Sequence, residues 1–510
     1  MTHRKINRRI FLKTLGMASP ALVLPGFDAH LFDSTSYYYC LPQSKTYNSE
    51  ISFSCGVYST FGWKYLGMET KYPLELKFKK PTKKIKNLVF RFTSSIWQAE
   101  RFRIELYLLK SHKIINSTEV WNPYFLQPFE IEIDSSFFDP VFEEGIGVRP
   151  VGQKESFFIF SDTDENIPVQ FRPSLLCFKD APSRRNEVVK RLADDSSLQF
   201  FGWPEGCLWD GIFDLGESSA KFDSSFIIQR RLKHFLDENN KLDYVVTDNR
   251  KITNAIYNVE TVLPFGILAK IKPDHPLVWQ AVDFCKSQIN SAGIITHKDG
   301  NELKIKTEEN YTVSYPLLVI AKNTGDHSLA DIAVSNLLYR KKLLSTENGV
   351  FHRKIGSDNP VYLNWARGTA WYLLGLAKSI KLIPPAHPKY NELVEEFQLA
   401  ASRVVSHINP DGMFYAFLHD KTTTLDTSGT AGIVAAFAYG VKNNFLSEVH
   451  YSDVIRKSIN EMVKSYLTPD GYLRGSTQIN NGGEILQRSK FRTISPYTLG
   501  FIGIILSCGY

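Results

Sequence analysis

From about residue 33 to residue 180 the chain alternates hydrophobic and polar positions in short runs. Examples are Leu74-Glu75-Leu76-Lys77-Phe78, Leu88-Val89-Phe90-Arg91-Phe92, Phe102-Arg103-Ile104-Glu105-Leu106-Tyr107 and Phe129-Glu130-Ile131-Glu132-Ile133. A period of two places one face of each run on a core and the other in water. Runs at 156–161 and 169–178 continue the pattern, with Gly, Pro and Asp between them. This predicts an antiparallel β-sandwich over 31–180 with charges on its wet face.

Beyond a polar, basic link at 180–186 the period lengthens and helices are predicted. Four stretches end in the same short glycine turn: Ser291-Ala292-Gly293-Ile294, Glu347-Asn348-Gly349-Val350, Pro410-Asp411-Gly412-Met413 and Pro469-Asp470-Gly471-Tyr472. Their spacing of roughly 60 residues suits a degenerate repeat of two helices per unit. Within a unit one segment is apolar nearly all round (262–270, 313–321, 365–378, 428–441, 496–507), and the other carries a charged stripe (277–289, 329–343, 392–408, 453–467). A helix without a polar stripe is buried on all sides, whereas a striped one faces water. With a first unit near 187–195 and 219–237 the chain holds about twelve helices, six inside six. An all-α (α/α)6 toroid over 184–510 is the expected closure, because an open solenoid would need polar caps at both ends.

Composition narrows the function. The 510 residues are 43% hydrophobic and 22% charged, with a formal charge of +7 and Lys and Arg interleaved among Asp and Glu. That suits a soluble protein and gives no basic block for a nucleic-acid partner. The 35 Phe, 24 Tyr and 8 Trp suit either a well-filled core or a lining for sugar rings. At the N-terminus, Asn7-Arg8-Arg9-Ile10-Phe11-Leu12-Lys13 resembles a twin-arginine export motif within a signal segment, 1–30, so a periplasmic or extracellular location is expected. The apolar run that follows is short and broken by Pro20 and Pro25, which argues against stable insertion in a membrane. The six cysteines are scattered without CxxC spacing, so no zinc site and mostly free, buried thiols are expected. No P-loop, Rossmann glycine fingerprint or HExxH is present, and neither a metal nor a cofactor is expected.

The loops at one end of the inner helices of a toroid form a bowl. Asn364-Trp365-Ala366-Arg367-Gly368-Thr369-Ala370-Trp371-Tyr372 opens one inner helix, with Arg367 and Trp371 four apart on one face. A guanidinium can hold a carboxylate through two parallel hydrogen bonds, and an indole offers a flat apolar platform to a sugar ring; loop carbonyls and core packing would use the same residues. Trp203, Trp209, Asp210 and Asp214 cluster near the first hairpin, and Tyr257 and Tyr311 are further candidates for the lining.

The Trp365-x-Arg367-Gly368-x-x-Trp371 run resembles one in the unsaturated glucuronyl and rhamnogalacturonyl hydrolases of glycoside hydrolase families 88 and 105. The likeness covers most of the second domain. Gly349-Val350-Phe351-His352 is similar to the family's glycine turn, which implies that His352 touches substrate, and Thr427-Ser428-Gly429-Thr430-Ala431 to a small-residue run before a late inner helix. The sandwich lies outside it. The resemblance further implies catalytic carboxylates at Glu260, in Tyr257-Asn258-Val259-Glu260, and at Glu309, in Glu308-Glu309-Asn310-Tyr311; Glu308 is the neighbouring alternative. Both positions depart from the family's Asp, moving the carboxylate by about one methylene.

The reaction this implies is removal of a terminal, unsaturated uronic acid from an oligosaccharide. A carboxyl protonates the C4=C5 bond, water adds at C5, and the opened product releases the next sugar. Arg367 would hold the uronate carboxylate, and Trp365, Trp371, Trp209 and Tyr311 would line the pocket. An exo-acting β-glucuronidase of saturated substrates, and a non-catalytic polysaccharide-binding or assembly protein, are the alternatives. A homodimer is compatible with the sequence.

Overall fold

A computed structural model describes residues 37–179, 185–300 and 302–510. The twin-arginine-type segment and residues 180–184 of the link lie outside the described residues.

The alternating runs form two antiparallel sheets. In one, β5 (Asn87–Ser94) is central. On one side it pairs with β8 (Gln127–Ile133). On the other it pairs with β11 (Ser174–Phe178) and β10 (Phe157–Phe160), which are extended by β1 (Tyr37–Cys40) and β3 (Tyr65–Met68). The second sheet runs β2 (Ser44–Thr46), β4 (Leu74–Lys77), β9 (Ile146–Val151), β6 (Arg101–Leu108) and β7 (Ile114–Trp121). Phe90, Phe92, Ile131 and Phe157 from the first sheet meet Leu76, Ile104, Leu106 and Val148 from the second in one apolar cluster. Inner faces that interdigitate in this way define a sandwich.

The face of β5 and β8 expected to be wet is covered by the helical part of the chain. Arg91 is fully buried and paired with Asp470 and Glu130, and Glu130 also accepts from Arg474 Nε at 2.6 Å. Tyr39 donates to Asp470, and Tyr37 to Glu187 Oε2 at 2.9 Å. Alternation in sequence marks two environments, and here the second is a charged docking surface.

The helical part is the expected (α/α)6 toroid. Its helices are α1 (Arg185–Ala193), α2 (Trp203–Ser218), α3 (Ser224–Leu232), α4 (Leu263–Ile271), α5 (Pro276–Ser287), α6 (Tyr315–Thr324), α7 (His327–Leu344), α8 (Ala366–Ile380), α9 (Tyr390–Val405), α10 (Thr427–Lys442), α11 (Glu448–Glu461) and α12 (Thr498–Ser507). The even-numbered helices pack in succession as the inner ring, and α12 returns to pack on α2. Every residue of α8 is buried, whereas α9 and α11 keep an exposed stripe.

One element differs from expectation. The first inner helix is α2, which lies between the two segments, 187–195 and 219–237, expected to supply the first unit, and it contains Pro204, Gly206, Gly211 and Gly216. Proline at a first-turn position fits a helix because that N–H has no partner there. The glycines permit close approach: a Cβ on Gly211 would lie 2.2 Å from the Gly500 carbonyl oxygen, and one on Gly500 would lie 2.0 Å from the Cys207 carbonyl oxygen. Backbone meets backbone where the ring closes. Gly500→Ala is therefore expected to force the two helices apart and cost about 1–3 kcal/mol, measured as a lower denaturation midpoint; an unchanged midpoint would mean that the helices are not in this contact.

Four short strands fold back over the mouth of the ring: β12 (Asp243–Val245) with β13 (Lys251–Thr253), and β14 (His297–Asp299) with β15 (Glu302–Lys306). The second pair is extended into a five-stranded sheet by β16 (Ser345–Thr346), β17 (Gly349–Ile355) and β18 (Val361–Leu363), with β17 pairing with β15, β16 and β18, whereas β12 and β13 stand apart. Among the described residues no helix is long and apolar enough to cross a membrane.

Candidate active site

Trp365 caps the N-terminal end of α8, and Asn364 sets its direction. Asn364 has a left-handed backbone (φ 51°), which Asn tolerates because its short side chain can hydrogen-bond locally. Its N–H donates to Val350 O (2.8 Å), its Oδ1 accepts from Val350 N (3.1 Å) and its Nδ2 donates to Asn348 O (3.0 Å). This ties the start of α8 to β17 and brings His352 edge-on to the Trp365 ring, with centroids 4.7 Å apart. A Cβ on Gly368 would lie 2.9 Å from Trp365 and 3.0 Å from His352, so glycine is what lets that pair sit on the helix.

Beside them is a cavity of about 180 Å³, lined by Trp203, Trp365 and Trp371, by Glu260 and Glu308, by Lys304, Lys306, Arg353 and Arg367, and by His352 and Thr312 among others. Lys306, at the end of β15, projects its ammonium between two carboxylates. Nζ bonds Glu260 Oε1 and lies 3.2 Å from Glu308 Oε1. The other oxygen of Glu308 lies 3.1 Å from His352 Nδ1 without making a hydrogen bond to it. Burial alone would pull the lysine toward neutrality, but Glu260, Glu308 and Glu309 more than reverse this and raise its pKa above the ordinary value. His352 is held well below the usual histidine range by burial and by Lys306, Arg353 and Arg367 nearby, so its ring is neutral. Trp365 Nε1, Thr312 Oγ1 and Arg353 Nε are buried without a hydrogen-bond partner, and such groups belong where a polar ligand completes them. Four cations against two carboxylates favour an anionic ligand.

Several residues singled out in the sequence stand elsewhere. Glu309 is absent from the cavity lining and fully buried. Its carboxylate is ion-paired with Arg340 and accepts from His297 N (3.0 Å), Thr296 Oγ1 (3.0 Å) and Lys306 N (3.2 Å). Burial would raise its pKa, yet Arg340, His297 and Lys306 hold it far below the ordinary carboxylate range. It anchors the end of β15, and the neighbouring Glu308 is the one that reaches the cavity.

Arg367 does line the cavity, with its guanidinium over the Trp365 ring at 4.6 Å. Its terminal nitrogens, however, already bond Thr477 O and Thr477 Oγ1 (both 2.7 Å), Ser428 Oγ (3.2 Å) and Gln478 O. Trp209 is fully buried and donates to Glu205 Oε1 at 2.6 Å. Tyr311 is buried behind the cavity, stacked on Trp371 at 5.9 Å with its hydroxyl donating to Asp210 Oδ2 at 2.6 Å. Both belong to the core, because each polar tip finds its partner there. Tyr257 lies on the surface.

The lysines were missed in sequence. Lys304-Ile305-Lys306 alternates as a strand, which puts both cations on one face, but nothing local shows that this face roofs the bowl. Asn480 and Asn481 complete the rim, and the adjacent Gln478 donates to Trp121 O of the sandwich at 3.1 Å.

The sequence profile of Glycosyl Hydrolase Family 88 matches residues 183–506, the whole toroid. The chain belongs to that family. A family 105 protein from C. acetobutylicum is similar in structure, with 17% identity and a TM-score of 0.53 over 63% of this chain and 97% of that one. A possible family 105 member from Salmonella enterica serovar Paratyphi A gives 18%, 0.54, 63% and 91%. At these identities the likeness is one of fold. A relative named unsaturated 3S-rhamnoglycuronyl hydrolase, from Alteromonas sp. (strain LOR), is 31% identical over 136 residues, which span 25% of this chain and 33% of that relative. Within this family 88 chain the sandwich at 37–178 lies outside the profile match.

The buried ion pairs predict the acid limb of stability. Burial works against ionisation of Asp210, but Lys378, Lys270 and Tyr311 lower its pKa to about 2; Asp470 and Glu309 are depressed in the same direction. A depressed carboxylate stabilises the fold above its unfolded pKa, near 4, and that contribution is lost as pH falls through the folded value. For Asp210 alone this amounts to roughly 2 kcal/mol. Denaturation midpoints should hold above about pH 5 and fall steeply between about pH 4 and 2; a flat profile there would show that these pairs are not formed.

Proposed function

We propose that this protein hydrolyses acidic oligosaccharides from one end, removing a terminal unsaturated uronic acid, with Glu308 and Glu260 as the reacting carboxyl pair. The observation that carries this reading is the cavity, which joins two carboxylates around one ammonium beneath an indole wall and keeps an excess of positive charge. Membership of the family and the name of the Alteromonas relative support the same substrate class. One carboxyl delivers a proton to C4 of the double bond and water adds to C5; the pair recovers a proton from that water, and the hemiketal opens to release the next sugar. Trp365 and Trp371 offer apolar faces to the ring, and the neutral His352 offers a ring nitrogen to a hydroxyl. The sandwich supports the rim through Trp121 O, which accepts from Gln478 Nε2 next to Ile479 and Asn480 of the cavity wall.

The test is an unsaturated uronyl disaccharide and a chromogenic glucuronide, each given to the purified protein. Loss of the double-bond absorbance with the first alone supports the proposal. Release from the second alone selects a saturated-uronide hydrolase, and binding without turnover of either selects a polysaccharide-binding protein. The twin-arginine-type segment supports action in the periplasm or outside the cell, which fractionation of cells bearing Arg8→Lys/Arg9→Lys checks by retention of the protein in the cytoplasm.

A further inference from the structure

We propose that Lys306, and not Arg367, receives the carboxylate of the substrate, and that by turning to it Lys306 leaves Glu260 and Glu308 to share a proton. The inference rests on the functional reading above and says how its acid is made.

Arg367 is unsuited to the task. Its Nη1 donors are engaged by Thr477 and Ser428 and one Nη2 donor by Gln478 O, so the guanidinium cannot turn toward a ligand without leaving buried carbonyls unpaired. Those bonds hold the stretch that continues into Ile479, Asn480 and Asn481 on the cavity wall. Arg367 is therefore a positioning residue for the rim, and a cation face for Trp365.

Lys306 is suited to it on three counts. Its backbone is fixed, because its N–H donates to Glu309 Oε2 (3.2 Å) and its carbonyl accepts from Arg340 Nε (3.0 Å). The buried Glu309–Arg340 pair thus clamps the strand end while the side chain stays in the cavity. An ammonium on a flexible stem has three rotatable donors; one bonds Glu260, and Glu308 is ion-paired at 3.2 Å. Both acceptors come from separate backbone segments, the turn at Val259–Val262 and the turn after β15, so the lysine can tilt without unfolding either. The charged and titratable groups around it are Glu260, Glu308 and Glu309, His297 with Nδ1 4.0 Å from Glu260 Oε1, and Lys304, His352 and Arg353.

In the free protein the two carboxylates divide one cation. An arriving uronate adds a third negative charge and draws the ammonium toward itself. Carboxylates that lose a shared cation while gaining a like charge take up a proton, and the hydration of the double bond requires a protonated carboxyl. The proton comes from solvent on binding and passes to C4. Water then supplies hydroxide to C5 and returns a proton to the pair, so the balance is substrate plus one water. A neutral sugar would neither pull Lys306 nor protonate the pair, so the arrangement selects anions in binding and in activation alike.

Calorimetry tests this without turnover, using sodium glucuronate and methyl glucoside as probes in two buffers of different ionisation enthalpy. The parent protein should bind glucuronate with uptake of a large fraction of a proton and methyl glucoside with none. Lys306→Met should weaken glucuronate tenfold or more and abolish the uptake, while Lys306→Arg restores carboxylate preference and Arg367→Lys keeps it. Glucuronate binding without proton uptake, no glucuronate binding, undiminished preference in Lys306→Met, or its loss in Arg367→Lys would each overturn the proposal. Should Lys306→Met fail to fold, proton uptake by the parent protein still decides. If the double bond is consumed but no proton is taken up on binding, this inference fails and the functional reading stands. Proton uptake without consumption of the double bond gives the reverse.

Discussion

Glu308→Gln is expected to lower kcat on an unsaturated uronyl disaccharide by about two to four orders of magnitude, with little change in the thermal midpoint. Glutamine keeps the shape and the polarity of the side chain but carries neither the negative charge nor an acidic proton to deliver. Glu308 tolerates this because its carboxylate lines the cavity, with one oxygen near Lys306 and the other without a hydrogen bond. Glu309→Gln should behave in the opposite way. There the carboxylate sits fully buried against Arg340, and an amide in its place leaves a guanidinium without its counter-charge, so stability falls and activity declines with it. Paired melting curves and steady-state rates of the two variants separate the roles. A Glu308→Gln enzyme with near-parental turnover would remove Glu308 from the chemistry.

The second large effect is on stability. Arg340→Met is expected to cost about 3–5 kcal/mol, the usual result of removing one partner from a buried ion pair. Arg340 holds Glu309 and donates to Lys306 O (3.0 Å), Asn336 O (3.1 Å) and Ile295 O (2.9 Å), so α7, the segment before β14 and the end of β15 lose a common tie. Chemical denaturation of the variant measures this, and a loss below about 1 kcal/mol would show that the carboxylate finds another partner or takes a proton. Double replacement of Arg340 and Glu309 by apolar residues should recover much of the loss, since apolar substitutes for a buried pair are often tolerated.

The toroid was legible because helices apolar all round alternate with helices carrying a charged stripe, which places the first set inside the second. The exception, α2, is instructive. Its Gly211 favours a break locally, and only the position of Gly500, nearly 300 residues along the chain, explains it. The sandwich was legible by period, but the use of its outer face was not, because Arg91 and Glu130 look the same in sequence whether they face water or Asp470. At the site, Trp365 and Trp371 could be placed from their spacing. The choice between Glu308 and Glu309 could not, since adjacent residues differ only in which way the turn after β15 points them, and Arg340 on a distant helix decides that. The destination of the Arg367 donors lies about 110 residues downstream and leaves no local trace.

The contact between Gly211 and Gly500 also sets a timetable for biosynthesis. The sandwich strands are complete once Phe178 has been made, whereas the ring has no closing wall until α12 has emerged. At ordinary rates of translation the interval is on the order of tens of seconds. Throughout it, helices with no polar side are exposed to solvent along the open seam. A ribosome stalled shortly before residue 498 would leave a product with a finished sandwich and an unsealed, aggregation-prone ring.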